Sequence, residues 1–453
     1  MGYQLVRHLA RFLLTLFYRR VEVEGIAHIP ARGSVIVAAN HHNSIVDAML
    51  LMAMVPRQLI TLANAPLFRH PFIGPFLRLI RAIPVHRRQE GGNDPARNEA
   101  MFEAVIQTLR EGGAILVFPE GVTQPEPILM PLRTGTARML LGAAAGGGAA
   151  VTLLPVGLLW HEPGAFRAGS ALMVMGKPVP TEDCVALYST DPIAAVRQLT
   201  DRLTEALRQE IVEADDRQTL GLVRVVETMW REERSESHPD KRERIAWMQQ
   251  VMRAYRYLLR RQPEIVAALR RRVGAYSRDL ELAEVTDSQL SRSYPTGLVL
   301  RFALREGLSL LLGLPLAASG VAIHFVPYWL TGVVVRRLGR TAEEEATDKI
   351  AAGLVLYPLC WIVEGWTAFW LGGGWGLGIF VASLLPTGFF ALAWRERLDR
   401  VRSESRAFFR FLVDRDLGRR LLTQRHALVA ELTALAGLVP ESVRLGQAKD
   451  ESP

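Results

Sequence analysis

The stretch from Ser34 to Leu51 constrains the fold more than any other part of the chain. It opens as Ser34-Val-Ile-Val-Ala-Ala39, turns through Asn40-His41-His42-Asn43, and continues as Ser44-Ile-Val-Asp47-Ala-Met-Leu-Leu51. A β-branched run followed by an apolar stretch of helical length reads as a buried strand handing over to a helix. Ser44 with Asp47 three residues on predicts a capping box at the helix start. His42 then lies in the last loop residues, where a ring at a strand end faces an open cleft. Asp47, in the first turn, is expected to accept a hydrogen bond from one imidazole nitrogen and to leave the other free to take a proton. On this stretch alone, Asp47 as a plain helix cap beside an ordinary loop histidine stays an open alternative.

The chain has 453 residues, 49% of them hydrophobic and 22% charged, which is enough for two or three structural units and too apolar for disorder. Cys184 and Cys360 stand far apart with no ligand spacing, so neither a disulfide framework nor a metal site is expected, and a reducing, cytosol-facing compartment fits. The formal charge of +8 is spread as arginines between apolar blocks without a basic tail. That distribution favours anionic lipid over nucleic acid as a partner.

From 21 to 208 short apolar runs alternate with helical patterns, at Ser34–Ala39, Leu59–Ala63, Ala82–Val85, Ala114–Phe118, Val151–Val156 and Ala171–Met175, which predicts an α/β domain. Two of these runs end in polar clusters, Val85-His86-Arg87-Arg88 and Phe118-Pro119-Glu120-Gly121. Ligands in such sheets bind beyond the strand ends, so a site is expected there.

Four motifs in this order resemble the glycerolipid acyltransferase family. They are His42-x4-Asp47, the run Ile83-Pro84-Val85-His86-Arg87, the Phe118-Pro119-Glu120-Gly121 block, and Leu154-Pro155-Val156; Gly176-Lys177-Pro178 matches a looser feature. Many members follow the third block with Thr-Arg-Ser, where this chain has Val122-Thr123-Gln124. The segment Pro131-Leu132-Arg133-Thr134-Gly135-Thr136-Ala137-Arg138 instead resembles the branch that holds fungal glycerol-3-phosphate and dihydroxyacetone-phosphate acyltransferases and their bacterial relatives.

The resemblance implies a mixed-sheet acyltransferase domain that moves a fatty acyl group from an acyl-CoA or acyl carrier protein thioester to glycerol 3-phosphate, or to lysophosphatidate or another lysophospholipid. No metal or bound organic cofactor is implied. A thioester is already reactive, so such an enzyme must deprotonate an alcohol, hold it against the carbonyl and stabilise an oxyanion. His42 is the expected base and Asp47 its orienting partner; Arg87, with Arg133 or Arg138, is expected to hold phosphate through a planar guanidinium. Glu120 is expected to bind a glycerol hydroxyl or anchor a cationic side chain, with Gly121 and Pro155 among the substrate-binding residues. A non-catalytic lipid-binding protein on the same fold is the alternative of a different class, and the intact His42, Asp47 and Glu120 argue against it.

The flanks point to a membrane. Residues 1–20 carry an apolar stripe, Leu5, Leu9, Phe12, Leu13, Leu16 and Phe17, with Arg7 and Arg11 off it, as in a helix lying at a lipid interface; a helix covering a soluble core is the alternative. Residues 209–294 read as charged helix. Within 295–394 lie two apolar segments. Ile350–Trp394 is long enough for two crossings around Gly372-Gly373-Gly374, and Gly307–Val335, with arginines at both ends and Pro315, Gly320 and Pro327 inside, is expected to form a re-entrant hairpin, with a single tilted span as the alternative. Glu364 inside the second segment needs a partner or a cavity. Residues 395–453 return to charged helix and a polar tail. The expected location is a bacterial inner membrane or its equivalent, with the catalytic domain facing the cytosol.

Overall fold

The structure, a computed structural model, describes residues 2–70, 73–86, 95–145, 150–233, 241–290, 296–339, 341 and 344–444. The chain divides into two compact units: Met1–Arg217 with Asp240–Ala246 and Arg340–Ile350, and Gln218–Pro239 with Trp247–Gly339 and Ala351–Pro453.

The first unit is built on seven strands: β1 (Arg20–Glu24), β2 (Ser34–Ala39), β3 (Ile60–Asn64), β4 (Ile83–Val85), β5 (Ala114–Val117), β6 (Val151–His161) and β7 (Ser170–Met175). They form one mixed sheet in the order β1-β7-β6-β2-β5-β3-β4, parallel except for the antiparallel pair β6 and β7. Helices α1 (Gly2–Phe17), α2 (Ser44–Met54), α3 (Ile73–Leu79), α4 (Pro95–Arg110), α5 (Gly135–Ala144), α6 (Glu182–Tyr188) and α7 (Pro192–Glu210) accompany the sheet.

Strand β2 is buried along its whole length, and its alternation serves two cores. Val35, Val37 and Ala39 pack with α1 and α2, whereas Ile36 and Ala38 pack with residues of α4, α5 and α7. Six of the strands coincide with the apolar runs of the sequence. The seventh, β1, reads Arg-Val-Glu-Val-Glu and lies at the sheet edge, where charged residues are tolerated.

Helix α1 is more deeply engaged than its apolar stripe suggests. Tyr3, Ala10, Leu14 and Phe17 are buried, and the Tyr3 hydroxyl accepts the Leu59 N–H at 3.0 Å. Phe17, and Leu13 in part, therefore belong to the core. Leu5 and Phe12 remain on the outside at 68% and 40% exposure. The helix thus packs one apolar face in the core and leaves Leu5 and Phe12 exposed to solvent.

The second unit is helical. It is formed from α8 (Arg217–Glu233), α9 (Lys241–Arg261), α10 (Pro263–Ala283), α11 (Asp287–Leu290), α12 (Thr296–Leu338), α13 (Glu345–Val413), α14 (Arg415–Gly437) and α15 (Glu441–Arg444), with the first residue of α8 and the starts of α9 and α13 belonging to the first unit. Arg425 of α14 is buried, 3.3 Å from Asp287 and donating to the Met229 carbonyl at 2.9 Å, so α14 is integral to this unit.

Among the described residues two helices are long and apolar enough to cross a membrane. The expected hairpin is not formed, since α12 runs unbroken through Pro315, Gly320 and Pro327. Gly320 has a packing reason: a Cβ there would lie 2.2 Å from the Thr387 carbonyl oxygen, so glycine permits close helix approach rather than a turn. The break expected in the second segment is present, because Gly373 leaves helical geometry at φ 60° and ψ −150°. Glu364 has one carboxylate oxygen buried without a hydrogen-bond partner among the described residues.

Candidate active site

The site is assembled where β2 and β5 end and α2 begins. Asn40 extends the β2–β6 ladder with its side chain, donating to the Leu158 carbonyl at 3.0 Å and accepting the Leu158 N–H at 2.6 Å. The chain then folds around the carboxylate of Asp47, which is fully buried. One oxygen accepts three N–H groups, from the His42 backbone at 2.9 Å, the Asn43 backbone at 2.8 Å and the His41 ring Nδ1 at 2.9 Å. The other accepts the Trp160 indole N–H at 2.8 Å.

Two expectations are corrected here. Ser44 is not the helix cap: Asn43 holds that position, and Ser44 is the first helical residue, with a φ of 45°. Asp47 does reach back over the helix start, but the ring it holds is that of His41. His42 touches the carboxylate only through its backbone N–H.

The imidazole of His42 is oriented by a different group. Its Nδ1 lies 3.1 Å from the carbonyl oxygen of Gln124, which can only accept, so Nδ1 carries the proton and Nε2 keeps the basic lone pair. Burial lowers the His42 pKa below the ordinary histidine range, while the nearby Asp47 charge and the Gln124 carbonyl pull it upward and the charges of His41 and Arg217 push it down. The ring is thus neutral at physiological pH, the state a proton acceptor needs. His41 is tied differently, with its ring stacked on Phe118 at a 4.0 Å centroid separation.

Glu120 is almost fully buried, at 2% exposure. Its carboxylate accepts the His41 N–H at 2.8 Å on one oxygen and the Met130 N–H at 2.9 Å on the other, so it ties two loops together and does not reach toward a substrate as expected. Burial pushes its pKa up to about 7, against the two N–H bonds that favour the charged form. Glu120 does anchor a cation, but through its main chain: the Arg133 Nε donates to the Glu120 carbonyl at 3.3 Å.

Gly121 has a φ of 71°, and a Cβ on it would sit 2.7 Å from the Arg133 Nε, so glycine both makes the turn and seats this arginine. Of the two arginines expected to replace the missing one, Arg133 is at the motif, whereas Arg138 lies over the Phe102 ring at 4.6 Å. Pro155 is buried inside β6, paired with Ala38, and serves the sheet rather than a substrate. Arg87 lies outside the described residues. Among the described residues no group of His, Cys, Asp or Glu side chains could hold a metal ion.

Sequence reasoning missed His41, Trp160, Gln124 and Arg217. His41 adjoins the motif histidine, but only the fold shows which ring meets Asp47. Trp160 lies in the part of β6 that continues past the apolar run, and Arg217 is remote in sequence.

The comparisons with known proteins agree with the motifs. Residues 20–159 match the family described as Acyltransferase. The 1-acyl-sn-glycerol-3-phosphate acyltransferase of Bacillus subtilis is 28% identical over 200 residues, covering 44% of this chain and 89% of that protein. Glycerol-3-phosphate O-acyltransferase 1 of Saccharomyces cerevisiae is 26% identical over 263 residues, covering 56% of this chain and only 34% of the yeast protein. The crystal structure of the 1-acyl-sn-glycerophosphate (LPA) acyltransferase from Thermotoga maritima aligns at a TM-score of 0.34 and 21% identity, over 45% of this chain and 78% of that one. Residues 20–159 thus form an acyltransferase domain, and relatives named as 1-acylglycerol-3-phosphate and glycerol-3-phosphate acyltransferases are consistent with the glycerolipid acyltransferase family.

Proposed function

We propose that the protein transfers a fatty acyl group from an acyl-CoA or acyl-ACP thioester to glycerol 3-phosphate, with lysophosphatidate as the nearest rival acceptor. The observation that carries this reading is the half-buried, neutral His42 with its Nδ1 on the Gln124 carbonyl. In the proposed reaction, Nε2 takes the proton of the acceptor hydroxyl as its oxygen forms a bond to the thioester carbonyl carbon. The tetrahedral intermediate collapses with cleavage of the C–S bond, and the imidazolium returns the proton to the leaving thiolate. Asp47 holds the loop that presents this ring and supplies negative charge to the imidazolium.

Arg133 is the cation assigned to the acceptor phosphate, together with Arg87. Arg133→Ala is expected to raise the KM for glycerol 3-phosphate by roughly 10- to 100-fold, the equivalent of a lost charge-assisted hydrogen bond of about 1.5–3 kcal/mol, with little change in the KM for acyl-CoA. Steady-state kinetics with each substrate varied in turn checks this. Equal effects on both substrates would make Arg133 a structural tie to the Glu120 loop.

Lysophosphatidate stays in view because the Bacillus relative, of which this chain covers 89%, is named for that acceptor. The same reading places α12 and α13 in a lipid bilayer. The full chain is expected to stay in the membrane pellet after high-salt and alkaline washing; release by alkali would make α12 and α13 a soluble helical bundle.

A further inference from the structure

The loop that orients His42 does not hold itself in place. Residues 122–130 contain no helix or strand and include Pro125 and Pro127, which have no backbone N–H to give. Within this loop the hydrogen bonds are Ile128 N–H to the Glu126 carbonyl and the Gln124 side-chain amide to the Ile128 carbonyl. Yet the loop supplies three contacts to the site, the Gln124 carbonyl to His42, the Gln124 N–H to the His41 carbonyl at 3.3 Å and the Met130 N–H to Glu120. Ordering nine residues against their conformational entropy needs more than two internal bonds.

The missing ties come from the segment just after α7. The Leu129 N–H donates to Glu213 Oε1 at 3.0 Å, the Ala214 N–H donates to the Pro127 carbonyl at 2.9 Å, and Arg217 donates through both Nε and Nη2 to the Pro125 carbonyl at 3.2 Å. The three ties fall on residues 125, 127 and 129, every second residue of the loop, so one edge of it is bound throughout. The segment is itself anchored: Ile211, Val212 and Ala214 are buried in the first unit.

We propose that Glu213–Arg217 is a positioning element of the active site, a strap that fixes the 122–130 loop and through it the ring of His42. It touches no reacting atom in this scheme. Its catalytic half rests on the acyl-transfer reading above, and its structural half does not. Arg217 has a second effect, because its charge faces His42 along with those of Asp47 and His41 and opposes protonation of the ring.

The test uses the full-length protein in detergent and compares Glu213→Ala/Arg217→Ala with the conservative pair Glu213→Gln/Arg217→Lys, which keeps an acceptor for Leu129 and a cationic donor for Pro125. Hydrogen exchange of the 122–130 amides is expected to quicken at least tenfold in the alanine pair, with the β-sheet unaffected. Its kcat is expected to fall at least tenfold at saturating substrates, and the acid limb of the pH profile is expected to move to higher pH, since the ring then keeps its proton longer. The conservative pair restores all three. Unchanged loop exchange overturns the strap, as does quickened exchange with unchanged kcat and pH profile. An effect confined to the acceptor KM would make Arg217 a substrate contact and overturn the positioning role. Absence of transfer by the unmutated protein counts against the acyl-transfer reading, and the exchange measurement still decides whether the strap holds the loop.

Discussion

His42→Ala is expected to lower acyl transfer by roughly 100- to 10,000-fold, the range that general base catalysis supplies, while leaving the sheet and its two cores intact. His41→Ala provides the internal control. That ring sits on Asp47 and Phe118, so its loss loosens the same loop without removing the nitrogen assigned to the proton, and the deficit should be at least tenfold smaller than that of His42→Ala. Initial rates of the two variants side by side decide the matter. If His41→Ala is the more damaged, the base is the histidine held by the carboxylate and the family spacing points one residue too far. The lowered pKa of His42 adds a pH expectation: the ring stays neutral as pH falls through the ordinary histidine range, so wild-type activity should persist below that range before the acid limb appears.

Asp47→Asn should be almost as damaging, for a reason the sequence could not supply. An isolated helix cap would tolerate asparagine, since its amide oxygen still accepts from backbone N–H groups. Here one carboxylate oxygen accepts three N–H groups and the other accepts the Trp160 indole. Either orientation of an amide sets its NH2 against at least one of these donors. Each unsatisfied buried donor costs about 1–3 kcal/mol, so the variant should melt at a lower temperature and lose at least tenfold in turnover. Thermal unfolding and initial rates on one preparation check both; wild-type values in both would reduce Asp47 to a cap.

The legibility of this chain follows the physics of each segment. The interior strands could be read because strands covered on both faces must be continuously apolar, as in Ser34–Ala39 and Ala114–Val117. Strand β1 was hidden because an edge strand alternates valine with charged residues, and the outer half of β6 because Trp160 and His161 lie beyond the buried run. Histidine and carboxylate were located by their spacing, but the pairing of rings was not. His41 and His42 are consecutive, and their side chains diverge by backbone geometry that no motif records.

Charge and glycine misled for comparable reasons. Glu120 reads as a ligand group at a strand end, whereas its two oxygens are used up by backbone N–H groups of flanking loops. Gly320 with two nearby prolines reads as a turn, whereas the glycine admits a neighbouring helix backbone and both prolines lie within a continuous helix. The apolar stripe of α1 reads as facing either lipid or a core, and the fold divides it: Phe17 and part of Leu13 are packed in the sheet's core, whereas Leu5 is exposed.

The most direct test of the account is transfer of a labelled acyl group from acyl-CoA, with acyl-ACP run in parallel, by the purified full-length protein in detergent. The acceptor panel holds glycerol 3-phosphate, lysophosphatidate, a neutral lysophospholipid and glycerol, and His42→Ala is run beside the wild type. The account predicts label in a glycerophosphate product, fastest with glycerol 3-phosphate, negligible with unphosphorylated glycerol and abolished by the substitution. Transfer that ignores the acceptor's phosphate, or that survives His42→Ala at more than about a tenth of the wild-type rate, falls outside the range of general base catalysis and would contradict it.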